Sequence, residues 1–482
     1  MSQVATLAPP VPPAVRSRRW SPWLAAPAVF LATLTGSGSA SLNGDELATL
    51  SAASRSVPGL WALAHNIDGH FLPYYLFMQL WVQAGTAELW LRLPSALAIG
   101  VAAWFLADLG RRLHGVPAGL TAATVFAVLP TVSFYGAYAR SYAFAAAAVT
   151  LSFWALHRAA RGHGWVLYGV SVALVSCTHL FAVLALPAHL PVLLSLVPRR
   201  TLLLRAAPAL AAGAVPALVL GLVGYGARHA ISWIPQKGPE VLLKFPLMTT
   251  GVTATGVILL AVATAGAALL FARDTDGRPW AGALAGWVVL PPLLLLAVSH
   301  LVTPAYVDRY LFVTTPGAAL LAGIAAASVP GTVARAAAGC LLVVATLVPG
   351  LTRHAELRAH NGRFEDFPGA VRQVRAQAGD AIVFGQSSVR AGFHYYAPAG
   401  GPDDVLLLDR APQPRGFGFA ERTDVAAMLA DRRRVWLVWR GTKATGSRLP
   451  RVRAVREAGF EQVRSWHSAE LPGLTVALYA RP

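Results

Sequence analysis

Apolar runs of about twenty residues recur along the first 350 positions, separated by short polar or basic stretches, and then stop. Inside a bilayer such a run satisfies its own backbone only as a helix, so each predicts a membrane span. Eleven are predicted: 22–40, 90–108, 117–134, 141–157, 165–178, 180–197, 203–224, 247–272, 280–302, 311–328 and 333–350. Between the first two spans the rhythm changes. Segments 47–64 and 71–83 carry apolar residues at amphipathic helical spacing, and Trp61, Tyr74, Tyr75, Trp81 and Trp90 suit the headgroup layer. Two helices lying along the membrane surface are predicted there.

Beyond residue 350 the period shortens. Strand-like runs at 381–384, 405–408, 435–438 and 474–478 alternate with helical spacing at 366–378, 420–432 and 450–458. That alternation predicts a small α/β domain. It contains no Gly-rich phosphate loop, nucleophile elbow or metal-spaced His/Cys set, so no chemistry is assigned to it. The predicted division is a basic, Pro-rich tail (1–21), a polytopic α-helical membrane domain (22–350) and an α/β domain (351–482).

Composition agrees with a membrane protein. Hydrophobic residues make up 55% of the 482 and charged ones 13%, about half the share usual in soluble domains. The net charge of +18 is not a nucleic-acid footprint, because the arginines before residue 350 are dispersed over alternate loops. Arg16, Arg18 and Arg19, then Arg111 and Arg112, Arg158 and Arg161, Arg199, Arg200 and Arg205, Arg273 and Arg278, and Arg335 form a positive-inside pattern. It predicts a multi-pass cell-membrane protein with a cytoplasmic N-terminus and an extracytoplasmic C-terminal domain. Residues 16–40 also resemble a signal peptide, which leaves the later topology unchanged. Cys177 and Cys340 both fall in predicted spans and offer no disulfide framework.

This orientation places 41–89, 135–140, 225–246 and 303–310 on the outer side, and the chemically suggestive residues gather there. The first loop opens on Asp45 and Glu46 and continues with Asp68, His70, Tyr74 and Tyr75; Arg92 follows in Arg92-Leu93-Pro94-Ser95. Later outer turns bring Arg140 and Tyr142, then Lys237, then Arg309 and Tyr310. Carboxylates in one loop and cations in three others suit an anionic lipid headgroup beside a proton-transfer group. Each residue also has a plainer role. Asp45 suits a helix N-cap, the basic side chains suit the polar boundary, Asp308 suits a local pair with Arg309, and His179 suits the bundle core.

The Asp-Glu pair after the first span, the Arg-Leu-Pro-Ser start of the second, the turn from Tyr135 to Tyr142 and the later Arg309-Tyr310 resemble GT-C glycosyltransferases that use polyprenyl-phosphate sugars. These include protein O-mannosyltransferases and lipid A aminoarabinose transferases; Asp68 and Tyr74-Tyr75 are most similar to actinobacterial mannosyltransferase-like members. The resemblance covers about residues 20–350. It implies Asp45 as the general base that activates an acceptor hydroxyl, with inversion at the sugar. Arg140, Lys237 and Arg309 would stabilise the departing polyprenyl phosphate, and Glu46 and Asp68 would orient the acceptor, support Asp45 or join it in holding a divalent cation. His70, Tyr74, Tyr75, Arg92, Tyr142 and Tyr310 would line the substrate site. Implied partners are the lipid-linked donor, the bilayer, and an extracytoplasmic protein, glycolipid or wall-glycan acceptor, with mannose suggested by family frequency. One departure stands out: many relatives carry a glutamate where this chain has Tyr138. A lipid-linked oligosaccharide ligase, a transporter and a wall-binding scaffold are the competing expectations; no obvious internal repeat supports the transporter.

Overall fold

The computed structural model describes residues 24–469 and 472–482, helical as far as Arg358 and α/β beyond. Among the described residues seven helices are long and apolar enough to cross a membrane: Glu88–His114, Tyr142–Ala160, Arg199–Gly226, Thr253–Arg273, Gly277–Leu301, Asp308–Ala327 and Thr332–Arg358. The pair Val116–Ala127 and Pro130–Gly136, bent by 69° where Pro130 restarts the helix, is long and apolar enough for an eighth when counted as one broken span. The shorter apolar helices Ala25–Leu34, Trp165–Thr178 and Leu180–Leu196 occupy the remaining predicted spans. The start of the first predicted span and the basic tail lie outside the described residues.

The last of these shows how a short segment gains reach. Leu180–His189 is wound as a 3-10 helix and Leu190–Leu196 as an α-helix. At about 2.0 and 1.5 Å rise per residue the two together span about 30 Å, the thickness of the hydrocarbon core. Close helix contacts rest on small residues. A Cβ on Gly119 would lie 2.1 Å from the Ala107 carbonyl oxygen, and one on Gly266 would lie 1.9 Å from that of Leu321. Larger residues at either site would push the helices apart. At one end of the bundle Arg273 donates to the Leu113 carbonyl at 2.9 Å and His114 meets Ser328 at 3.0 Å. The basic loops at 111–115 and 273–278 and the turn at 328 therefore share that end.

The loop between the first two predicted spans differs in detail from the expectation. The helix predicted over 47–64 is two, Gly44–Ala53 and Val57–Ala64, because Ser56 caps the second by accepting from Gly59 N–H and Pro58 follows in its first turn. Leu72–Trp81 is the third helix of the loop. The loop is closed by a reciprocal clasp. Trp81 Nε1 donates to the Trp90 carbonyl at 2.9 Å, Trp90 Nε1 donates to that of Trp81 at 3.1 Å, and the indoles stack 4.5 Å apart.

The described residues of the C-terminal region form seven strands: β1 (Ala381–Phe384), β2 (Asp403–Asp404), β3 (Leu407–Pro412), β4 (Phe419–Glu421), β5 (Arg434–Arg440), β6 (Glu461–His467) and β7 (Leu474–Ala480). Five form a sheet in the order β2-β1-β5-β7-β6, with β1 parallel to β2 and β5, and β7 antiparallel to β5 and β6. Of the predicted strand at 405–408, Val405 and Leu406 form the turn between β2 and β3, and Leu407 and Leu408 begin β3. Asp404 is drawn into an ion pair with buried Arg390 at 2.6 Å, at the sheet edge. The edge strand β6 and the helix Ser387–Tyr396 were not in the sequence expectation. β6 is polar along most of its length, as edge strands commonly are.

Candidate functional site

Asp45 owes its position to Asn43. The Asn43 side chain accepts from Glu46 N–H at 3.1 Å, and the Glu46 carboxylate accepts from Asn43 N–H at 3.3 Å. This is a capping box for Gly44–Ala53, so Asn43 and not Asp45 is the cap. Asp45 stands one residue inside the first turn with a third of its side chain exposed. Its neighbour Glu46 is completely buried against Arg92.

The Glu46–Arg92 pair is the pin of the site. Arg92 Nε and Nη2 grip Glu46 at 2.7 and 2.8 Å, and the remaining donors reach the carbonyls of Ser37, Ala40 and Ser41 at 2.6–3.1 Å. Glu46 also accepts from Ala139 N–H at 3.0 Å. Ser95 Oγ, one helical turn beyond Arg92, donates to the Tyr138 carbonyl at 2.7 Å. Glu46 and the Arg-Leu-Pro-Ser motif thus lock the 137–140 turn. With their polar atoms committed to one another and to the backbone, Glu46 is placed for the expected support of Asp45, and Arg92 acts on the shape of the site through that pair.

Locking that turn presents Tyr138 and Arg140. The Tyr138 hydroxyl donates to Asp45 Oδ2 at 2.9 Å and accepts from Asn43 Nδ2 at 3.2 Å. The position where relatives carry an acid therefore holds a hydrogen-bond donor to the candidate base. Arg140 Nη1 donates to the Tyr75 hydroxyl at 2.7 Å, which donates in turn to Asp68 at 2.7 Å; Arg140 Nη2 reaches Asp68 at 3.4 Å. The guanidinium lies 4.2 Å from the Phe71 ring centroid. Asp68 holds its place in left-handed backbone at φ 58°, a conformation Asp tolerates better than most residues.

Arg309 arrives from Asp308–Ala327 with Nη1 3.7 Å from Asp45 Oδ2, the side chain about a quarter exposed and packed near Trp233. Tyr142 stacks on Tyr138, and Tyr310 packs 4.7 Å from His179. His70 lies 4.1 Å from Phe71, and Tyr74 is buried against Phe144. Lys237 is the outlier: it sits at 3.5 Å from Asp308 and near Tyr306, and the structure records no contact between it and Asp45.

Sequence reasoning missed the contribution of the C-terminal region. Glu365 and Arg440 form an ion pair beside Asp45, and Glu365 Oε2 accepts from Gly44 N–H at 3.1 Å. Buried Arg363 donates to the Ala137 and Phe134 carbonyls and lies over the Phe134 ring at 4.2 Å. No motif spacing marks these residues; the one signal is the charge density after residue 350.

Burial raises the Asp45 pKa, but Arg140, Arg309, the Tyr138 hydroxyl and Arg440 more than offset it and hold the group below the ordinary 3.8. Burial, helped by the charge of Arg140, outweighs the attraction of Asp68 and lowers His70 to about 4, so its ring is neutral at physiological pH. Among the described residues no three His, Cys, Asp or Glu side chains gather as a metal site. Glu46 is held by Arg92 and Asp68 by Tyr75 and Arg140, so Asp45, Glu46 and Asp68 do not form a shared cation site. Tyr138→Phe is expected to lower turnover roughly tenfold with the fold intact, the value of one hydrogen bond to a charged group; steady-state kinetics beside a thermal melt checks it.

No family model and no curated protein sequence matches the chain. Solved structures do. ArnT from Cupriavidus metallidurans in the apo state is similar with a TM-score of 0.59 at 12% identity, over 94% of this chain and 97% of that one. The same protein bound to undecaprenyl phosphate matches with equal score and identity over 95% and 97%. Arabinofuranosyltransferase AftD from Mycobacteria matches with a TM-score of 0.52 at 18% identity, over 96% of this chain but 40% of AftD. The chain has the GT-C fold.

Proposed function

We propose that this GT-C-fold membrane protein is a glycosyltransferase that moves a single sugar from a polyprenyl phosphate to an acceptor hydroxyl at the outer membrane surface. The observation that carries the proposal is the Asp45–Arg309 pair: a carboxylate and a guanidinium, 3.7 Å apart and both reaching solvent, at the end of the bundle where the outer loops meet. The likeness to ArnT solved with undecaprenyl phosphate supports a lipid-phosphate donor.

In the proposed reaction Asp45 takes the proton of the acceptor hydroxyl as its oxygen attacks the anomeric carbon from the face opposite the phosphate. The carbon–oxygen bond to the phosphate breaks, and the polyprenyl phosphate leaves with the electron pair as a stable anion. No general acid is required, unlike the paired carboxylates of glycosidases. Arg309 turns from Asp45 to the phosphate, and Arg140 adds a fixed positive charge held by Asp68 and Tyr75. Tyr142, Tyr310, His70 and Tyr74 form the aromatic wall of the site, and Lys237 waits at its rim with Asp308. The sugar is mannose-like by the family's frequency. The acceptor is an extracytoplasmic protein, glycolipid or wall glycan. The positive-inside loops support a cytoplasmic N-terminus and an extracytoplasmic 351–482 domain.

Release of polyprenyl phosphate by the purified protein in liposomes, from a panel of polyprenyl-phosphate sugars with cell-envelope acceptor supplied, tests the proposal. Turnover of one donor supports it and names the sugar; a protein that is folded and turns over none of them overturns it. A base is active only when deprotonated, so its contribution is lost as pH falls through its own pKa. With Asp45 held below 3.8, kcat/KM is expected to show no Asp45-dependent loss between neutrality and about pH 4. An acid limb near pH 6 counts against Asp45 as the base.

A further inference from the structure

The four residues ahead of Asp45 leave no backbone N–H unclaimed, and three of the four are claimed from the far end of the chain. Ser41 N–H donates to the His360 carbonyl at 3.1 Å, Leu42 N–H to the Tyr396 hydroxyl at 2.8 Å, and Gly44 N–H to Glu365 Oε2 at 3.1 Å. Asn43 N–H alone is held locally, by Glu46. The Ser41 hydroxyl adds a bond to the Glu365 carbonyl. Glu365 is 4% exposed and its other oxygen is held by Arg440, the last residue of β5. Arg440 is fixed in turn by Gln386, which accepts from its N–H at 2.9 Å and donates to its carbonyl at 3.2 Å. A Cβ placed on Gly44 would lie 3.5 Å from Arg440 Nη2.

We propose that Glu365 and Arg440 are positioning residues for Asp45, making the C-terminal α/β region a working part of the transfer site. The proposal rests on the transferase reading above. Two physical effects follow. The Gly44 bond fixes the start of the Gly44–Ala53 helix, and with it the direction of the Asp45 carboxylate. The charges of Arg440 and Glu365 join those of Arg140 and Arg309, with the Tyr138 hydroxyl, in the field at that carboxylate. Asp45 is attracted by three arginines, while buried Glu365 restrains one of them. Anything that moves β5, an acceptor bound on the α/β region included, moves the base.

The full-length protein in liposomes supplies the test. Glu365→Gln, Arg440→Gln and Arg440→Lys are compared with wild type and with Arg432→Gln, a control at the opposite end of β5. Both glutamine variants are expected to lower kcat about tenfold, the effect of losing one charge-assisted hydrogen bond, with donor KM within about twofold and most of the loss restored by Arg440→Lys. The acid limb of kcat/KM should move up in Arg440→Gln, which loses an attracting charge, and not in Glu365→Gln; a general loss of folding moves neither. Amide hydrogen exchange at 41–46 should quicken in both variants and not in the control. Unchanged kcat in both glutamine variants, or unchanged exchange, overturns the proposal. A wild type that releases no polyprenyl phosphate overturns the transferase reading instead, and the exchange measurement still decides whether the grip exists.

Discussion

Replacing Asp45 with Asn is expected to lower kcat by about 10²–10⁴-fold, the usual contribution of a general base, while the protein stays inserted and folded. Asn fills the same space and keeps an acceptor oxygen for the Tyr138 hydroxyl, which donates to Asp45 at 2.9 Å. The side chain is a third exposed, so its charge is not a large contributor to stability. The substitution should separate binding from chemistry. Arg309 loses its 3.7 Å partner and becomes free for the donor phosphate, so donor KM should hold or fall as kcat collapses. Steady-state kinetics over a donor titration measures both. Residual kcat above about a tenth of wild type would remove Asp45 from the role of base.

The second large effect is structural. Arg92→Met strands Glu46, whose carboxylate is fully buried and held chiefly by that guanidinium. Breaking one partner of such a pair typically costs about 3–5 kcal/mol, because the remaining charge has no solvent to return to. Adding Glu46→Leu removes the stranded charge and should recover part of the loss, although the Ala139 and Asn43 N–H groups then lose an acceptor. Denaturant unfolding in detergent micelles, followed by tryptophan fluorescence, reads both variants. If Arg92→Met costs less than about 1 kcal/mol, the pair is not the pin described above.

The membrane character of the chain was legible because the bilayer imposes one rule on every span: about twenty apolar residues wound as a helix. Segments that bend the rule were less so. Hydropathy registers the run from 180 to 196 but not its 3-10 winding, which depends on packing against neighbouring helices. The same limit explains the split of 47–64 at Ser56, where one cap and one proline outweigh a continuous amphipathic stripe. In the site, Asp45, Arg140 and Arg309 were chosen from residue type and topology, and the structure brings them together. Glu46 and Arg92 were chosen on the same grounds and form a buried pair, since a sequence shows charge but not burial. Tyr138 was passed over for lacking an acid, although its hydroxyl is the group on Asp45. Glu365 and Arg440 were beyond reach, as nothing in a single sequence couples position 440 to position 44.

That long-range grip has a bearing on when the Asp45 carboxylate is aimed. The Trp81–Trp90 clasp joins residues nine apart and closes as soon as the second span is threaded into the membrane. The hold on Ser41 and Gly44 spans more than 320 residues and waits until Glu365 has been made. At about 5–20 residues per second, ribosomal synthesis takes on the order of tens of seconds to cover that interval. Through all of it the unfinished chain sits in the bilayer with its carboxylate present but unaimed. A product stalled at any intermediate span would therefore be inserted with Asp45 unaimed, so that the proposed activity would report the arrival of the α/β region.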